Sequence, residues 1–219
     1  MSRPHCVRVV LLSLAIAFAG TLAFVQRAAA YPKPSPYPIT WELKFKHATP
    51  KRITVDGKAY WYMTFTVTNK TDEEQLFLPQ FDLFSREGKN YPSDKGVSAD
   101  VFKQIKKVER NGDLQPLVEI AGPLKVGEDQ TKEGVAIWPE PSPRMETFHI
   151  FVTGLSGEAV ITEHGEVKKI KDWTKISEEE RKKQNVMRKT LDLTFQVTGD
   201  GSHPDEEPAH FVKEEWIMR

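Results

Sequence analysis

Short segments in which apolar and polar residues alternate recur along this chain. A period of two is typical of a half-buried β-strand, because successive side chains point to opposite faces of a sheet. The alternation and short apolar runs predict strands at residues 39–46, 60–68, 76–84, 118–121, 134–138, 148–152, 167–173 and 191–197. Many short strands separated by turn residues favour a mainly β fold, an antiparallel β-sandwich.

Two segments are helical instead. Val101, Ile105 and Val108 are spaced as on one face of a helix, so residues 98–110 predict a short amphipathic helix that packs on a sheet. Residues 177–180 read Ser-Glu-Glu-Glu, a capping box that predicts the start of a surface helix.

Turn and tail segments complete the pattern. Residues 87–89, Glu-Gly-Lys, predict a hairpin turn, and residues 69–71 match a glycosylation sequon that we interpret as turn chemistry. The tail at residues 212–219 contains Trp216 and Ile217, so we expect it to dock on the body of the protein.

The first thirty residues have the pattern of a secretory signal peptide. Basic residues without acids occupy residues 1–8, an uncharged apolar run follows at residues 9–25, and three alanines at 28–30 precede Tyr31. This order of charged head, apolar middle and small-residue exit predicts cleavage before Tyr31 and an extracytoplasmic location, in a periplasm or outside the cell. The alternative is an uncleaved anchor that holds the protein on the inner membrane through residues 9–25.

Proline at every second position marks residues 31–38. Such a segment favours an extended conformation, and we expect a spacer; a ligand for a proline-recognition domain is the alternative. Residues 39–219 then predict a single β-sandwich domain, with a C-terminal extension from about residue 157.

Charge and cysteine content exclude several function classes. The leader holds three of the 31 basic side chains and none of the 31 acidic ones, so the remainder has a net charge of −3. That balance argues against a nucleic-acid partner. The single cysteine is Cys6 in the leader, so the mature chain offers neither a disulfide nor a thiolate metal site. We expect no cofactor and no bound metal.

One stretch resembles immunoglobulin-like domains of unknown function in secreted bacterial proteins. It runs from residues 61–71, a strand ending in Asn-Lys-Thr, through 81–89 and 124–128 to the strand at 134–138. The resemblance covers about residues 39–155 and implies an immunoglobulin-like sandwich, in which the helix at 98–110 is an insertion. The family implies no catalytic residues.

Aromatic residues supply the candidate binding surface. Alternation places Trp61 toward the core and Tyr60 and Tyr62 on the opposite face of the same strand. Tyr60, Tyr62 and Trp138 are therefore predicted as a surface platform for a sugar or a partner strand. The alternative is that the helix or the chain after Gly157 covers this face.

Histidines give only weak catalytic or metal signals. The five in the mature chain form no short metal-binding motif, although His203 and His210 flank an acidic loop at residues 205–207. His164 and His210, each with nearby carboxylates, are the candidates for an envelope hydrolase. We expect instead a non-enzymatic module that contacts envelope or secreted proteins, with a carbohydrate or cell-wall binding module as the alternative.

Overall fold

Strands make up most of this computed structural model, which describes residues 31–142, 145–163, 166–183, 185–199 and 208–219, without the side chains of 163, 182 and 183. The strands are β1 Lys44–His47, β2 Lys51–Val55, β3 Lys58–Thr68, β4 Gln75–Phe77, β5 Gln80–Ser85, β6 Asn90–Pro92, β7 Gln115–Pro116, β8 Gly122–Leu124, β9 Lys132–Pro139, β10 Thr147–Thr153, β11 Ala159–Glu163, β12 Glu166–Ile170, β13 Asn185–Val197 and β14 Ala209–Met218. The helices are α1 Ala99–Glu109, α2 Leu117–Ile120 and α3 Glu178–Lys183. The predicted leader at residues 1–30 lies outside the described residues.

Two large sheets form a sandwich, which confirms the mainly β prediction. One has the order β1–β3–β9–β7, with β2 also paired to β3. The other has the order β12–β11–β13–β10–β5–β6, with β14 also paired to β13. Strand pairing is antiparallel in both apart from the short β7–β9 pair, and β4 and β8 form a separate small sheet. None of the helices among the described residues is both long and apolar enough to cross a bilayer.

Aromatic contacts between the sheets mark the main core. The ring centroids of Trp61 and Phe148 lie 5.7 Å apart, and those of Phe65 and Phe81 lie 4.7 Å apart. Each pair joins β3 to the opposite sheet. We call the sheet of β1, β2, β3, β7 and β9 the five-stranded sheet and the opposite one the seven-stranded sheet. The alternation in the sequence therefore identified the inward faces of these strands, because period-two side chains on one face share one environment.

Helix α1 covers the outer face of the five-stranded sheet. Val101 and Ile105 are buried against the outward residues of β3 and β9, as the helical spacing predicted. Val108 is 59% exposed, so its predicted place on the buried face is wrong. The helix ends directly after that turn, where Arg110 adopts a left-handed conformation with φ of 51°.

Other predicted strands also differ from the structure, and the one predicted at residues 167–173 ends at Ile170, with Trp173 in a 3₁₀ turn. Residues 118–121 were predicted as a strand, but most of this apolar run lies in the short helix α2. The strand predicted at residues 39–46 is regular only from Lys44. The one predicted at 76–84 breaks at Leu78–Pro79 into β4 and β5, because proline cannot donate to a sheet ladder.

Asn69 organises the turn that follows β3. Its side-chain amide donates to the carbonyls of Glu73 and Leu124 at 2.8 and 2.9 Å, and its Oδ1 accepts from the backbone N–H of Thr71 at 2.9 Å. Asn69 is fully buried. These contacts confirm the turn interpretation of the sequon, since the amide nitrogen that would carry a glycan is already used.

The chain after Gly157 belongs to the sandwich. It supplies β11 to β14, and β13 lies between β10 and β14 inside the seven-stranded sheet. Gly157 itself allows a close approach: a Cβ there would lie 2.6 Å from Trp41 Nε1 and 2.9 Å from the carbonyl oxygen of Lys171. A larger residue would push these segments apart.

Candidate functional site

Helix α1 and the second sheet bury the aromatic residues predicted as a surface platform. Tyr60 is 7% exposed and Tyr62 is 2% exposed, both beneath α1. Trp138 is fully buried in the core between the sheets. The predicted platform is therefore wrong, because the inserted helix covers the face on which alternation correctly placed the two tyrosines.

The hydroxyl of Tyr62 is committed to an internal hydrogen bond. It donates to Glu109 Oε1 at 2.7 Å, and Lys51 Nζ donates to the same oxygen at 2.8 Å. Burial raises the pKa of Tyr62 strongly, and the Glu109 carboxylate adds to that rise. Burial alone would raise the pKa of Glu109, but the bonds from Lys51 and Tyr62 outweigh it and lower that pKa. This polar group ties α1 to the sheet.

The histidines that the structure describes are His47, His149 and His210. His149 Nδ1 lies 2.8 Å from Asp192 Oδ1, on the outer face of the seven-stranded sheet. His47 Nε2 lies 3.9 Å from Glu214, and His210 is exposed on β14. Within the described part of the chain, no three histidine, cysteine or acidic residues are grouped as metal ligands would be. His164 and His203, with the acidic loop at 205–207, lie outside the described residues.

A buried group of charges joins the proline-rich segment to the sandwich. Lys189 Nζ lies 2.7 Å from Glu42 Oε2 and 3.7 Å from Glu158 Oε2, and Glu158 is fully buried. The backbone N–H of Ser35 donates to Glu158 Oε1 at 2.8 Å, and Lys169 donates to the Ser35 hydroxyl. Ser35 is 8% exposed, so here the predicted spacer is a docked part of the fold.

Strand β14 lies at an open edge of the sandwich. Among the described residues it pairs with β13 alone, over Ala209–Met218, and its residues 210–215 are all exposed. The predicted docking of the C-terminal tail is confirmed by this pairing. Native proteins rarely leave a long edge strand uncovered, because its free backbone groups can pair with another chain.

The ladder to β13 determines which backbone groups of β14 face outward. Arg188 and Arg219 exchange both backbone hydrogen bonds, with N···O distances of 2.7 and 3.1 Å. Hydrogen-bonded and non-hydrogen-bonded pairs alternate along an antiparallel ladder. Counting back from Arg219, the N–H and C=O groups of Met218, Trp216 and Glu214 point away from β13. We call residues 209–218 with these outward groups the β14 edge.

A bulge exposes two apolar side chains on the β14 edge. Thr194 pairs with Lys213 and Phe195 with Phe211, so Val212 is the extra residue between the two pairs. Phe211 is 47% exposed and Val212 is 53% exposed. An incoming strand would thus meet free backbone groups and an apolar contact side by side.

Charged side chains border the same edge. Lys213 Nζ lies 2.8 Å from Glu215 Oε1, and the hydrogen bond with Glu215 raises the pKa of Lys213. Glu214 lies near His47. Charges on an edge strand discourage pairing with arbitrary strands, so this edge would select a partner whose charges complement its own.

A groove lies elsewhere, beside the start of the domain. It encloses about 700 Å³ and is lined by residues of three segments: Pro38, Thr40, Trp41, Glu42, Thr71, Asp72, Glu73, Gln75, Lys171, Asp172 and Lys175. It therefore combines one indole with carboxylate, hydroxyl and amide groups. Trp41 also packs against the main core.

Comparison with known proteins identifies no relative. The chain matches no protein-family model, no curated protein and no solved structure.

The sequence alone does not predict the β14 edge as a site, since only pairing between distant segments reveals that a strand is at an edge.

Proposed function

We propose that this chain is an extracytoplasmic, immunoglobulin-like β-sandwich module that binds another envelope or secreted protein and catalyses no reaction. The observation that carries the proposal is the open β14 edge. An extended segment of the partner adds to β14 as a further strand of the seven-stranded sheet. Main-chain hydrogen bonds supply affinity in this mode of recognition, and neighbouring side chains supply specificity.

Three features of the edge support this mode. The outward N–H and C=O groups of Glu214 and Trp216 are two residues apart, which is the spacing at which an added antiparallel strand bonds. Phe211 and Val212 offer apolar surface at one end. The charges of Lys213 and Glu215 favour a partner with complementary charges.

A single proline substitution in β14, at Glu214, tests the proposal. Glu214→Pro removes an outward N–H without removing a bond to β13, whereas Glu214→Ala keeps that N–H and removes the carboxylate. Each purified variant is used to capture proteins from the secreted and envelope fractions of the source organism. We expect one partner that binds the wild type and Glu214→Ala, and at least tenfold weaker binding by Glu214→Pro.

Hydrogen exchange on the captured complex locates the contact. The partner should slow exchange of the Glu214 and Trp216 amides, which face the open edge. Equal capture by Glu214→Pro, or protection confined to another face, would overturn the proposal. Circular dichroism and the melting temperature check that each variant is folded.

A second candidate function is carbohydrate binding, and the groove beside Trp41 favours it. Carboxylate, amide and hydroxyl groups next to an indole suit a ligand with many hydroxyl groups. Asp72→Asn with Glu73→Gln changes two exposed groove carboxylates and leaves Trp41 in the core. Retention on cell-wall glycans should fall in this double variant and stay unchanged in Glu214→Pro, while the opposite result favours the β14 edge.

A further inference from the structure

Three arginine side chains gather at one end of the seven-stranded sheet. Arg188 belongs to β13, Arg219 directly follows β14, and Arg181 belongs to α3. Arg188 and Arg219 are a hydrogen-bonded pair of the ladder. Because paired residues of an antiparallel ladder project to the same face, their two side chains leave the sheet on one side.

Aromatic rings position all three guanidinium groups. The Cζ atoms of Arg188 and Arg181 lie 4.9 and 5.5 Å from the ring centroid of Trp173. The Cζ atom of Arg219 lies 4.1 Å from the ring centroid of Phe151. Since Trp173 is 5% exposed, it holds its two arginines against a fixed surface.

The positive charge of this arginine cluster is compensated only in part. Arg219 Nη1 lies 3.0 Å from Asp82 Oδ2, and within the described ranges Asp82 is the one carboxylate that forms an ion pair with any of the three. Arg188 Nη2 donates to the amide oxygen of Gln80 at 3.0 Å. Within the part of the chain that the structure describes, Arg181 donates to the backbone carbonyl oxygens of residues 176 and 174 and to no carboxylate.

Arg188 also has N–H donors that bind no acceptor among the described residues. A guanidinium carries five N–H donors, and toward the described residues the Arg188 side chain uses one of them, in the hydrogen bond to Gln80. Burial lowers the pKa of Arg188, and the neighbouring Arg181 and Arg219 oppose its charge while Asp82 favours it. An anion between these guanidinium groups would relieve the repulsion among their positive charges and accept hydrogen bonds from their N–H groups.

We infer that the arginine cluster binds the phosphate group of a small soluble ligand. Three guanidinium groups beside the Asp82 carboxylate leave an excess of positive charge, which favours a phosphate anion near neutral pH. Guanidinium groups bind phosphate oxygens through paired N–H donors. The site is independent of the β14 edge, because these side chains project onto the sheet face rather than toward the open edge.

A titration with inorganic phosphate tests this inference. We would follow backbone amide and arginine Nε–H signals by NMR, against sodium chloride at matched ionic strength. The expected result is a saturable shift centred on Arg188, Arg219 and Arg181 that chloride does not reproduce. Arg188→Gln should weaken phosphate binding at least tenfold.

Two further variants control for folding and for general charge. Arg86→Gln removes an arginine whose side chain is 71% exposed and paired with Glu146, so phosphate binding should stay within twofold of the wild type. If Arg188→Gln does not fold, Arg181→Gln on the surface helix should still weaken binding severalfold.

Four results would overturn the inference. They are a linear response without saturation, equal shifts in chloride, unchanged binding in both folded arginine variants, or binding to vesicles of anionic phospholipid without binding to inorganic phosphate. The last result would assign the cluster to a membrane surface instead of a small ligand.

Discussion

Asp94 is a residue whose protonation couples pH to the stability of the fold. It adopts a left-handed conformation with φ of 62°, and its Oδ1 accepts a hydrogen bond from the N–H of Ile137 at 3.2 Å. Burial raises the pKa of Asp94 to about 6, although backbone hydrogen bonds from Ile137 and Leu117 oppose that rise. The folded state therefore binds this proton more tightly than the unfolded chain does.

The first prediction is that Asp94→Asn stabilises the protein at neutral pH. A raised pKa means that ionisation of Asp94 costs stability as pH rises from about 4 to above 6. Asparagine keeps the acceptor and tolerates the positive φ, but it has no charge. We expect a gain of about 1–2 kcal/mol in the free energy of unfolding at pH 7.5 and none at pH 3.5, measured by urea denaturation. Asp113→Asn, an exposed control, should show no such pH dependence.

Lys189 is a second residue on which a buried network depends. It is 3% exposed, touches Glu42 and Glu158, and lies 4.7 Å from the ring centroid of Trp216. The alternation predicts only that this strand is half buried. A buried lysine at its inward position became visible only with the partners from residues 42 and 158.

The second prediction is that Lys189→Met destabilises the protein by about 3–5 kcal/mol, because it leaves the Glu158 carboxylate buried without its cation. Adding Glu158→Gln should restore part of that loss, since it removes the unpaired charge. Thermal and urea unfolding of the single and double variants measure the coupling free energy between Lys189 and Glu158. Lys213→Met on the exposed β14 should change stability by about 0.5 kcal/mol or less. Equal losses for the two lysine variants would contradict the role of the network.

At the scale of elements, the sequence predicts those features that depend on residues close together in the chain, such as the start of a helix. The capping box of α3 is present: Ser177 Oγ accepts from the N–H of Glu180 at 3.2 Å, and Glu180 accepts from Ser177 in return. Ser98 is the N-cap residue of α1, at the start of the predicted helix, but its side chain makes no cap hydrogen bond. The pattern thus located both helix starts, while only the structure shows which serine acts as a cap.

The third prediction compares these two serines. Ser177→Ala should cost about 1 kcal/mol of local helix stability, and Ser98→Ala should cost less than about 0.3 kcal/mol. Hydrogen exchange of the first amides of each helix measures the two losses. A larger loss at Ser98 would show that the capping contacts do not control where these helices begin.

Tertiary contacts explain the elements and site residues that the pattern did not predict. A short segment with three apolar residues at 117–120 fits a strand or a buried helical turn equally well, and in the structure it forms α2, packed beside β9. Tyr60 and Tyr62 were placed on the correct face of β3, yet the cover over that face comes from α1, about forty residues later. The open β14 edge likewise depends on β13, since an edge is a property of pairing and not of composition.

At the scale of the whole molecule, the proline-rich segment is part of the folded body. Prolines at 34 and 36 hold the chain extended on either side of Ser35, whose N–H reaches the buried Glu158. The segment thereby adds a hydrogen bond to the buried network of Lys189, Glu42 and Glu158. The sequence predicted the extended conformation but not the docking, because Glu158 is 123 residues away.

The fourth prediction uses this backbone contact. Ser35→Pro removes the N–H and the hydroxyl but suits an extended, proline-flanked position, so its loss beyond that of Ser35→Ala measures the hydrogen bond to the buried carboxylate. We expect a loss of about 1–3 kcal/mol in the free energy of unfolding. Ser35→Ala keeps the N–H and loses only the hydroxyl contact to Lys169, so it should cost less than half as much. Similar losses in the two variants would place the contribution in the hydroxyl.

The docking of Ser35 has a consequence for the prediction that residues 1–30 are a cleaved leader. Ser35 is five positions after residue 30, the predicted end of the leader, and this stretch spans at most about 18 Å when fully extended. Once the sandwich has closed over Ser35, a processing protease would have to work within that distance of a folded surface. If residues 1–30 are a leader that is removed, we therefore expect the cut to be faster before the sandwich closes over Ser35 than after it.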